Sequence, residues 1–385
     1  MTTMVGSARP EAFTPATRLD VDRLLADPAI RVIVCCGSGG VGKTTTAAAL
    51  GVRAAEEHGR RTVVLTIDPA RRLAQSLGLA ELDNTPRRVT TVRSGELFAM
   101  MLDMKRTFDE VVAAHTDPQR AEEIFLNPFY QAMSSTFAGT QEYMAMEKLG
   151  QLRAQNEWDL IVVDTPPSRS ALDFLDAPSR LGRFLDGRML RLLAAPARSG
   201  GRSVFSLVTA SFGLFSKLMD KILGAQLITD LSGFVGALDS MFGGFRERAE
   251  QTYRILQAPE TAFLVVAVPE PDAIREADYF AGRLAADKMP LAGLLLNRVH
   301  HAATTAIDGP TAIQASERIR AEHPVAADVL LVHARVLARA AREREIAARF
   351  TQAHPSVPIA TVAAQPVDVH DIDGLRAIGA ALAGH

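Results

Sequence analysis

The sequence predicts an α/β fold in which a mainly parallel sheet is flanked by helices and interrupted by a helical subdomain. A continuous apolar run at 31–36 ends at glycines, a helical stretch follows at 44–59, and a second buried strand is predicted at 61–68. Continuous apolar runs of this length are typical of strands that are buried on both faces. Strand, helix and strand in this order make a βαβ unit, and such units build parallel sheets.

Four later segments are predicted to extend the same sheet. They cover 158–164, 261–270, 289–299 and, with a weaker pattern, 357–363. An amphipathic helix closes the chain, with apolar residues at helical spacing from Ile372 to Leu382. We therefore expect that the core contains six strands and that an amphipathic helix follows the last of them.

The stretches between these strands divide the chain. Two long ones, about 97–156 and 176–257, contain no strand pattern and are predicted to be helical. We expect them to form one subdomain inserted into a core domain that spans 30–385. Residues 1–29 look peripheral and are predicted to be an N-terminal extension that carries one short amphipathic helix.

Composition excludes several classes of protein. The 385 residues are 48% hydrophobic and 22% charged, with a net charge of −2, which is unlike a disordered chain. No run of about 18 apolar residues is present to cross a membrane, and the first residues lack the apolar segment of a secretory signal. The low net charge gives no electrostatic reason to bind nucleic acid. We therefore expect a cytoplasmic protein without a nucleic-acid partner.

The first glycine-rich loop carries the strongest motif. Residues 37–44 read Gly-Ser-Gly-Gly-Val-Gly-Lys-Thr and match G-x-x-x-x-G-K-[ST] between a strand and a helix. In such a loop, backbone N–H groups and a helix N-terminus surround phosphate oxygens. Lys43 is expected to reach the β- and γ-phosphates, and the Thr44 hydroxyl is expected to hold Mg²⁺. The sequence therefore predicts a P-loop NTPase core.

Two aspartates are predicted to complete the site, because strand ends at the carboxyl edge of a parallel sheet face the ligand crevice. Asp164 ends one predicted strand and is placed near Mg²⁺. Asp68 ends another and is placed where it can orient or deprotonate the attacking water. An alternative for Asp68 is an N-cap of the helix that follows.

The nucleotide base is predicted to be adenine. A guanine-specific site would carry an Asn/Thr-Lys-x-Asp motif after a late strand, and the corresponding segment has Asn297 without the aspartate. The Asn297 amide is therefore our candidate reader of the base edge.

Three segments resemble the ArsA-type ATPases, a family that includes the arsenite-pump ATPase and the ATPase that targets tail-anchored membrane proteins. The phosphate loop resembles the family's Gly-Lys-Gly-Gly-Val-Gly-Lys-Thr-Thr. Residues 66–78 resemble its switch I segment, built around Asp-Pro-Ala, and residues 162–178 resemble its switch II segment. The resemblance covers most of the chain from Arg31 onward.

The resemblance implies a dimer that closes around two ATP molecules with Mg²⁺. Asp68 would be the switch I residue that activates water and Asp164 the switch II aspartate. Lys43 and Asp68 are thus the candidate catalytic residues, and Thr44, Asp68 and Asp164 the candidate metal ligands. The candidate ATP-binding residues, besides Asn297, are Gly39, Gly40, Val41, Gly42, Lys43, Thr44 and Thr45. The family also suggests that nucleotide state moves the helical subdomain.

The sequence departs from the family pattern at two motifs. The second loop residue, a lysine that reaches across the dimer in the family, is Ser38, and switch II carries Arg169 and Ser170 in place of glycine and histidine. A cation supplied across an interface is worth about 10³–10⁵ in rate for comparable arginine fingers. We therefore expect slow hydrolysis by a homodimer. The alternative is a weakly active or pseudo-ATPase subunit in a heterodimer with a lysine-bearing paralogue.

Thiol chemistry is not expected. The only cysteines, Cys35 and Cys36, are adjacent in a predicted buried strand, so neither clustered thiolates for arsenite nor a CxxC zinc site is available. Residues 203–245 carry Met- and Phe-rich helical stripes. These stripes fit either core or dimer packing, or a groove for an apolar helix of a membrane-protein client.

Overall fold

The computed structural model describes residues 17–68, 72–127, 130–131, 140–166, 247–302 and 304–384. The chain divides into two compact units. The first comprises the described parts of Met1–Met101, Asn156–Ala171 and Leu256–His385, and the second those of Leu102–Gln155 and Leu172–Ile255. The expectations for Arg169, Ser170 and 203–245 lie outside the described residues.

The first unit is built on one eight-stranded sheet. Its strands are β1 (Val32–Cys36), β2 (Thr62–Thr66), β3 (Arg87–Arg88), β4 (Leu97–Met101), β5 (Leu160–Asp164), β6 (Thr261–Ala267), β7 (Leu291–Val299) and β8 (Ile359–Ala363). The strand order is β3-β4-β2-β5-β1-β6-β7-β8. All neighbouring strands are parallel except β3 and β4. The predicted α/β fold with a mainly parallel sheet is confirmed.

Helices flank this sheet and build the second unit. They are α1 (Val21–Ala26), α2 (Lys43–Glu56), α3 (Arg72–Ser76), α4 (Met104–His115), α5 (Pro118–Leu126), α6 (Thr140–Gln155), α7 (Pro271–Ala286), α8 (Gly309–Ile319), α9 (Pro324–Ala353) and α10 (Ile372–Ala383). The second unit contains α4, α5, α6 and a further helical segment at 247–255. None of the helices described here is long and apolar enough to span a membrane.

The centre of the sheet positions the phosphate loop. All five residues of β1 are buried, including Cys35 and Cys36, which are free thiols. Helix α2 packs closely on the sheet because its buried face is made of small residues. A Cβ atom on Gly51 would lie only 2.5 Å from Cγ2 of Val64 on β2. The loop between β1 and α2 is therefore held from both sides by a tightly packed core.

Two expectations from the sequence are wrong in detail. Leu97–Met101 was expected to begin the helical stretch, but it forms β4 and pairs in parallel with β2. Leucine, alanine and methionine favour helices, so pairing with the neighbouring strand here outweighs the local helix propensity of the segment. The described end of the N-terminal extension is not peripheral, because Val21 and Leu25 of α1 are fully buried in the core.

The predicted C-terminal helix is present as α10. The Asp371 side chain caps its first turn by accepting a hydrogen bond from the backbone N–H of Gly374 at 2.8 Å. Leu375, Ile378 and Leu382 are buried, and α10 packs against α2. The apolar spacing therefore correctly predicted which face of this helix enters the core.

Candidate nucleotide-binding site

The phosphate loop connects β1 to α2 through glycine conformations. Gly42 has a φ of 98° and immediately precedes α2, whose N-terminus has no side-chain cap. At Gly37, a Cβ atom would lie 2.1 Å from the carbonyl oxygen of Val266. Gly39 and Gly40 are exposed, whereas Val41 is buried. The first N–H groups of α2 are thus available to an anion at the loop.

Lys43 is the first residue of α2, and only 6% of its surface is exposed. Its Nζ donates a hydrogen bond to the backbone carbonyl of Ser38 at 2.8 Å. Burial lowers the pKa of the Lys43 ammonium, and the nearby carboxylate of Asp164 opposes this shift. The ammonium therefore lies folded over the loop. Ser38 contributes its main-chain oxygen to this contact.

Asp164, at the end of β5, is fully buried beside α2. Its Oδ2 accepts hydrogen bonds from the hydroxyls of Thr44 at 2.7 Å and Thr66 at 2.9 Å. Burial raises the pKa of Asp164 to about 6, although the two hydroxyls and Lys43 pull it downward. Its Oδ1 is buried and has no hydrogen-bond partner among the described residues.

The orphaned oxygen of Asp164 fits a metal ion. Mg²⁺ prefers oxygen ligands and is usually held by one or two protein groups together with substrate phosphates. A buried carboxylate oxygen without a partner is costly unless a cation or another donor reaches it. The hydroxyl of Thr44 lies beside this carboxylate, so the residues present fit Mg²⁺.

Asp68 lies near the same group, two residues beyond the end of β2. Its backbone N–H donates to Oγ1 of Thr66 at 3.2 Å. Its charge raises the pKa of Asp164 and favours the charged form of Lys43. Helix α3 begins at Arg72, four residues further along the chain. The structure thus brings three predicted residues, Lys43, Asp68 and Asp164, to one edge of the sheet.

Two threonines of this edge were not among the predicted residues. Thr66 joins Asp68 to Asp164 through its hydroxyl. Thr165 donates from its own hydroxyl to the carbonyl of Cys35 at 2.9 Å and ties the end of β5 to β1. The available signal was a threonine close to each aspartate, two residues before Asp68 and directly after Asp164.

Asn297 lies near the end of β7 and contacts the phosphate loop. Its Nδ2 donates to the carbonyl of Val41 at 2.9 Å, and its Oδ1 accepts from the backbone N–H of Arg298 at 2.9 Å. A Cβ atom on Gly42 would lie 2.3 Å from this Nδ2. Asn297 therefore buttresses the loop, a contact that the sequence did not predict. Its role as a base reader stays a prediction.

A cavity of about 710 Å³ extends from the loop along the ends of β6, β7 and β8. Its lining includes Gly42 and Thr45 on the loop side and Asn297, His300 and Glu343 further away. The volume is typical of small-molecule and cofactor sites. A nucleotide with its phosphates at the loop therefore has room for its nucleoside here.

Comparison with known proteins identifies the family. The model of the family described as anion-transporting ATPase, ArsA ATPase, matches residues 30–319, about three quarters of the chain. The chain therefore belongs to the ArsA-type ATPases, whose reaction is ATP hydrolysis, and the resemblance drawn from the three motifs is confirmed.

Individual relatives share low sequence identity with this chain. The ATPase ASNA1 homolog of Babesia bovis is 25% identical over 74% of this chain and 70% of its own length. ATPase GET3B of Arabidopsis thaliana is 26% identical over 73% of this chain and 67% of its own. ATPase GET3 of Malassezia globosa is 29% identical over 48% of this chain. That match spans about half of the relative's length, 51%.

Proposed function

We propose that this chain is a Mg²⁺-dependent ATP-binding and ATP-hydrolysing switch protein of the cytoplasm. One observation carries the proposal. The phosphate loop, the buried Lys43 and the orphaned Oδ1 of Asp164 lie together at the carboxyl edge of the sheet. Backbone N–H groups and an ammonium attract a triphosphate, and a hydroxyl beside a carboxylate attracts its metal ion.

The residues have distinct roles in this proposal. Lys43 exchanges its contact with the Ser38 carbonyl for oxygens of the β- and γ-phosphates. Thr44 and Asp164 hold Mg²⁺, which when bound neutralises charge that develops on the phosphate oxygens. Asp68, fixed through its backbone to Thr66, orients the attacking water or takes its proton.

The test is binding and turnover with matched lysine variants. Lys43→Ala should abolish measurable ATP turnover and weaken Mg-ADP binding at least tenfold, because a buried cation at the phosphates is lost. Lys105→Ala removes an exposed lysine of the second unit and should change neither quantity. If Mg-ADP gave no heat of binding to the folded wild-type chain, the proposal would be wrong.

We further propose that the protein acts as a dimer that handles an apolar or membrane-protein partner. Membership of the ArsA-type family supports this proposal. The partner would be an apolar helix, and its binding would depend on nucleotide. The measurement is the affinity of an apolar helical peptide with and without Mg-ATP. Equal affinities in both conditions would contradict nucleotide-driven handling.

A second candidate is a weakly active or pseudo-ATPase subunit that pairs with a lysine-bearing paralogue. The observation that favours it is Ser38, because its side chain carries no charge that could act across an interface. The paralogue's lysine would complete the site on this chain. ATP turnover should then be slow for the chain alone and faster with such a paralogue. Brisk turnover alone, unchanged in Ser38→Ala, would reject this arrangement.

A further inference from the structure

A buried carboxylate lies in the cavity at a distance from the phosphate loop. Glu343 of α9 is only 6% exposed. Its Oε2 accepts from the backbone N–H of His300 at 2.8 Å. Its Oε1 contacts Nδ1 of the same imidazole at 2.8 Å and accepts from Nε of Arg339 at 3.0 Å. The Glu343 carboxylate thus contacts both the backbone N–H and the imidazole ring of His300.

The contact between Glu343 and Nδ1 determines the tautomer of the His300 ring. An ionised carboxylate only accepts hydrogen bonds, so the Nδ1 that faces Glu343 carries a hydrogen. In the neutral ring, Nε2 is then an acceptor. Among the described residues no hydrogen bond reaches this Nε2, and the His300 side chain is 27% exposed where it lines the cavity.

Two polar side chains near the end of β7, Asn297 and His300, differ in the hydrogen bonds that they already make. The amide of Asn297 already makes one hydrogen bond at each end, with Val41 and with Arg298. The Nε2 of His300 makes none within the described chain. A nucleoside carries donors that match such an acceptor, namely the sugar hydroxyls and the exocyclic amine of adenine.

We infer that His300 is a specificity-determining residue, whose Nε2 accepts a hydrogen bond from the nucleoside of the bound nucleotide. Glu343 is its positioning residue. The inference rests on the proposed function, since it needs a nucleotide whose phosphates lie at the loop. It adds the group that recognises the nucleoside, at a distance from the reacting phosphates.

The first test compares His300→Asn with wild type by calorimetry. An asparagine amide places its nitrogen near the position of Nδ1, so it retains a donor for Glu343 and loses Nε2. Binding of Mg-ADP should weaken about threefold to tenfold, the effect of one hydrogen bond. His301→Asn is the matched control, because His301 is the exposed neighbour, and it should bind as wild type does.

A second set of titrations, with analogues of ADP, identifies which donor of the nucleoside contacts His300. Both proteins are titrated with Mg²⁺ complexes of ADP, 2′-deoxy-ADP, 3′-deoxy-ADP and the purine riboside diphosphate that lacks the exocyclic amine. The loss caused by His300→Asn should vanish for the one analogue that lacks the bonded donor. That result separates a sugar contact from a base contact. Equal affinities of variant and wild type for ADP, or the same loss for all four ligands, would overturn the inference.

The positioning role of Glu343 has its own readout. Glu343→Gln should raise KM for ATP about twofold to fivefold and leave kcat unchanged, because the nucleoside contact is loosened and the phosphate chemistry is untouched. Glu345→Gln, an exposed glutamate on the same helix, should change neither. A fall in kcat at constant KM would contradict this role.

If wild type bound no Mg-ADP, the proposed function and this inference would both fail. If it bound Mg-ADP through Lys43 without dependence on His300, only this inference would fail.

Discussion

At the scale of single residues, the burial of Asp164 is the central feature of the site. The carboxylate has no exposed surface, and only one of its oxygens is hydrogen-bonded within the described chain. Burial disfavours its charged form and raises its pKa to about 6. A site of this kind stores an unfavourable charge that a bound cation relieves. It is typical of binding centres rather than of structural ion pairs.

Asp164→Asn should therefore change the pH dependence of stability in the absence of metal. The pKa of this carboxyl is higher in the folded chain, about 6, than its ordinary value of 3.8. Its stabilising contribution is thus present below pH 3.8 and is lost as pH rises through 6. Asparagine does not titrate. The free energy of unfolding of the variant, relative to wild type, should therefore be higher at pH 8 than at pH 5.

Urea denaturation at the two pH values, with chelator present, measures this difference. Titrating groups that do not interact with Asp164 contribute equally to both proteins and cancel. A wild-type to variant difference that is identical at pH 5 and pH 8 would contradict a raised pKa for Asp164. Adding Mg-ADP should stabilise wild type more than the variant, because the variant lacks the charged metal ligand.

At the scale of elements, the phosphate loop is stabilised by a helix that is not part of the site. Helix α2 carries Lys43 and Thr44, and it is held on its outer side by α10. Leu375 of α10 is fully buried in the core cluster. Arg376 of the same helix makes an ion pair with Glu56 at the end of α2, at 2.7 Å. The last helix of the chain thus supports the first helix of the site.

Leu375→Ala should lower the free energy of unfolding by about 2–5 kcal/mol, because it leaves a cavity between two packed helices. Leu126→Ala is the matched control. That leucine is 70% exposed, so its truncation should change stability by about 0.5 kcal/mol or less. Urea denaturation of both variants is the measurement. Equal effects of the two substitutions would show that α10 does not stabilise the core.

At the scale of the whole molecule, the proposed dimer determines what Ser38 does. In the folded chain the Ser38 carbonyl holds Nζ of Lys43, a contact that any residue at this position can make through its backbone. The side chain is therefore free to differ from the family's lysine without loss of the loop. What it gives up, in this proposal, is a charge delivered to the partner's nucleotide.

Ser38→Lys should consequently raise the ATP turnover of the homodimer by tenfold or more, towards the range of comparable cationic fingers. Ser38→Ala should leave it at the wild-type rate, since neither side chain carries a charge. Steady-state turnover as a function of protein concentration measures both effects, and the gain should appear only at concentrations where dimers form. An unchanged rate for Ser38→Lys in a dimeric sample would contradict the trans role.

Features that depend on short segments of the chain could be predicted from the amino-acid sequence. The glycine-rich loop, the six predicted strands and the core face of α10 follow from local patterns whose physical causes act between neighbouring residues. The positions of Asp68 and Asp164 followed because parallel strands end at one edge. Their catalytic and metal-binding roles remain predictions.

Contacts between residues that are distant in sequence could be identified only from the three-dimensional fold. Asn297 reaches Val41 from 256 positions away, and Glu343 reaches His300 from 43. The Met-rich β4 is a strand because it pairs with β2, and the short β3 is a strand because it pairs in turn with β4. Such contacts depend on strand order and helix placement, which involve the whole chain, and no local periodicity encodes them.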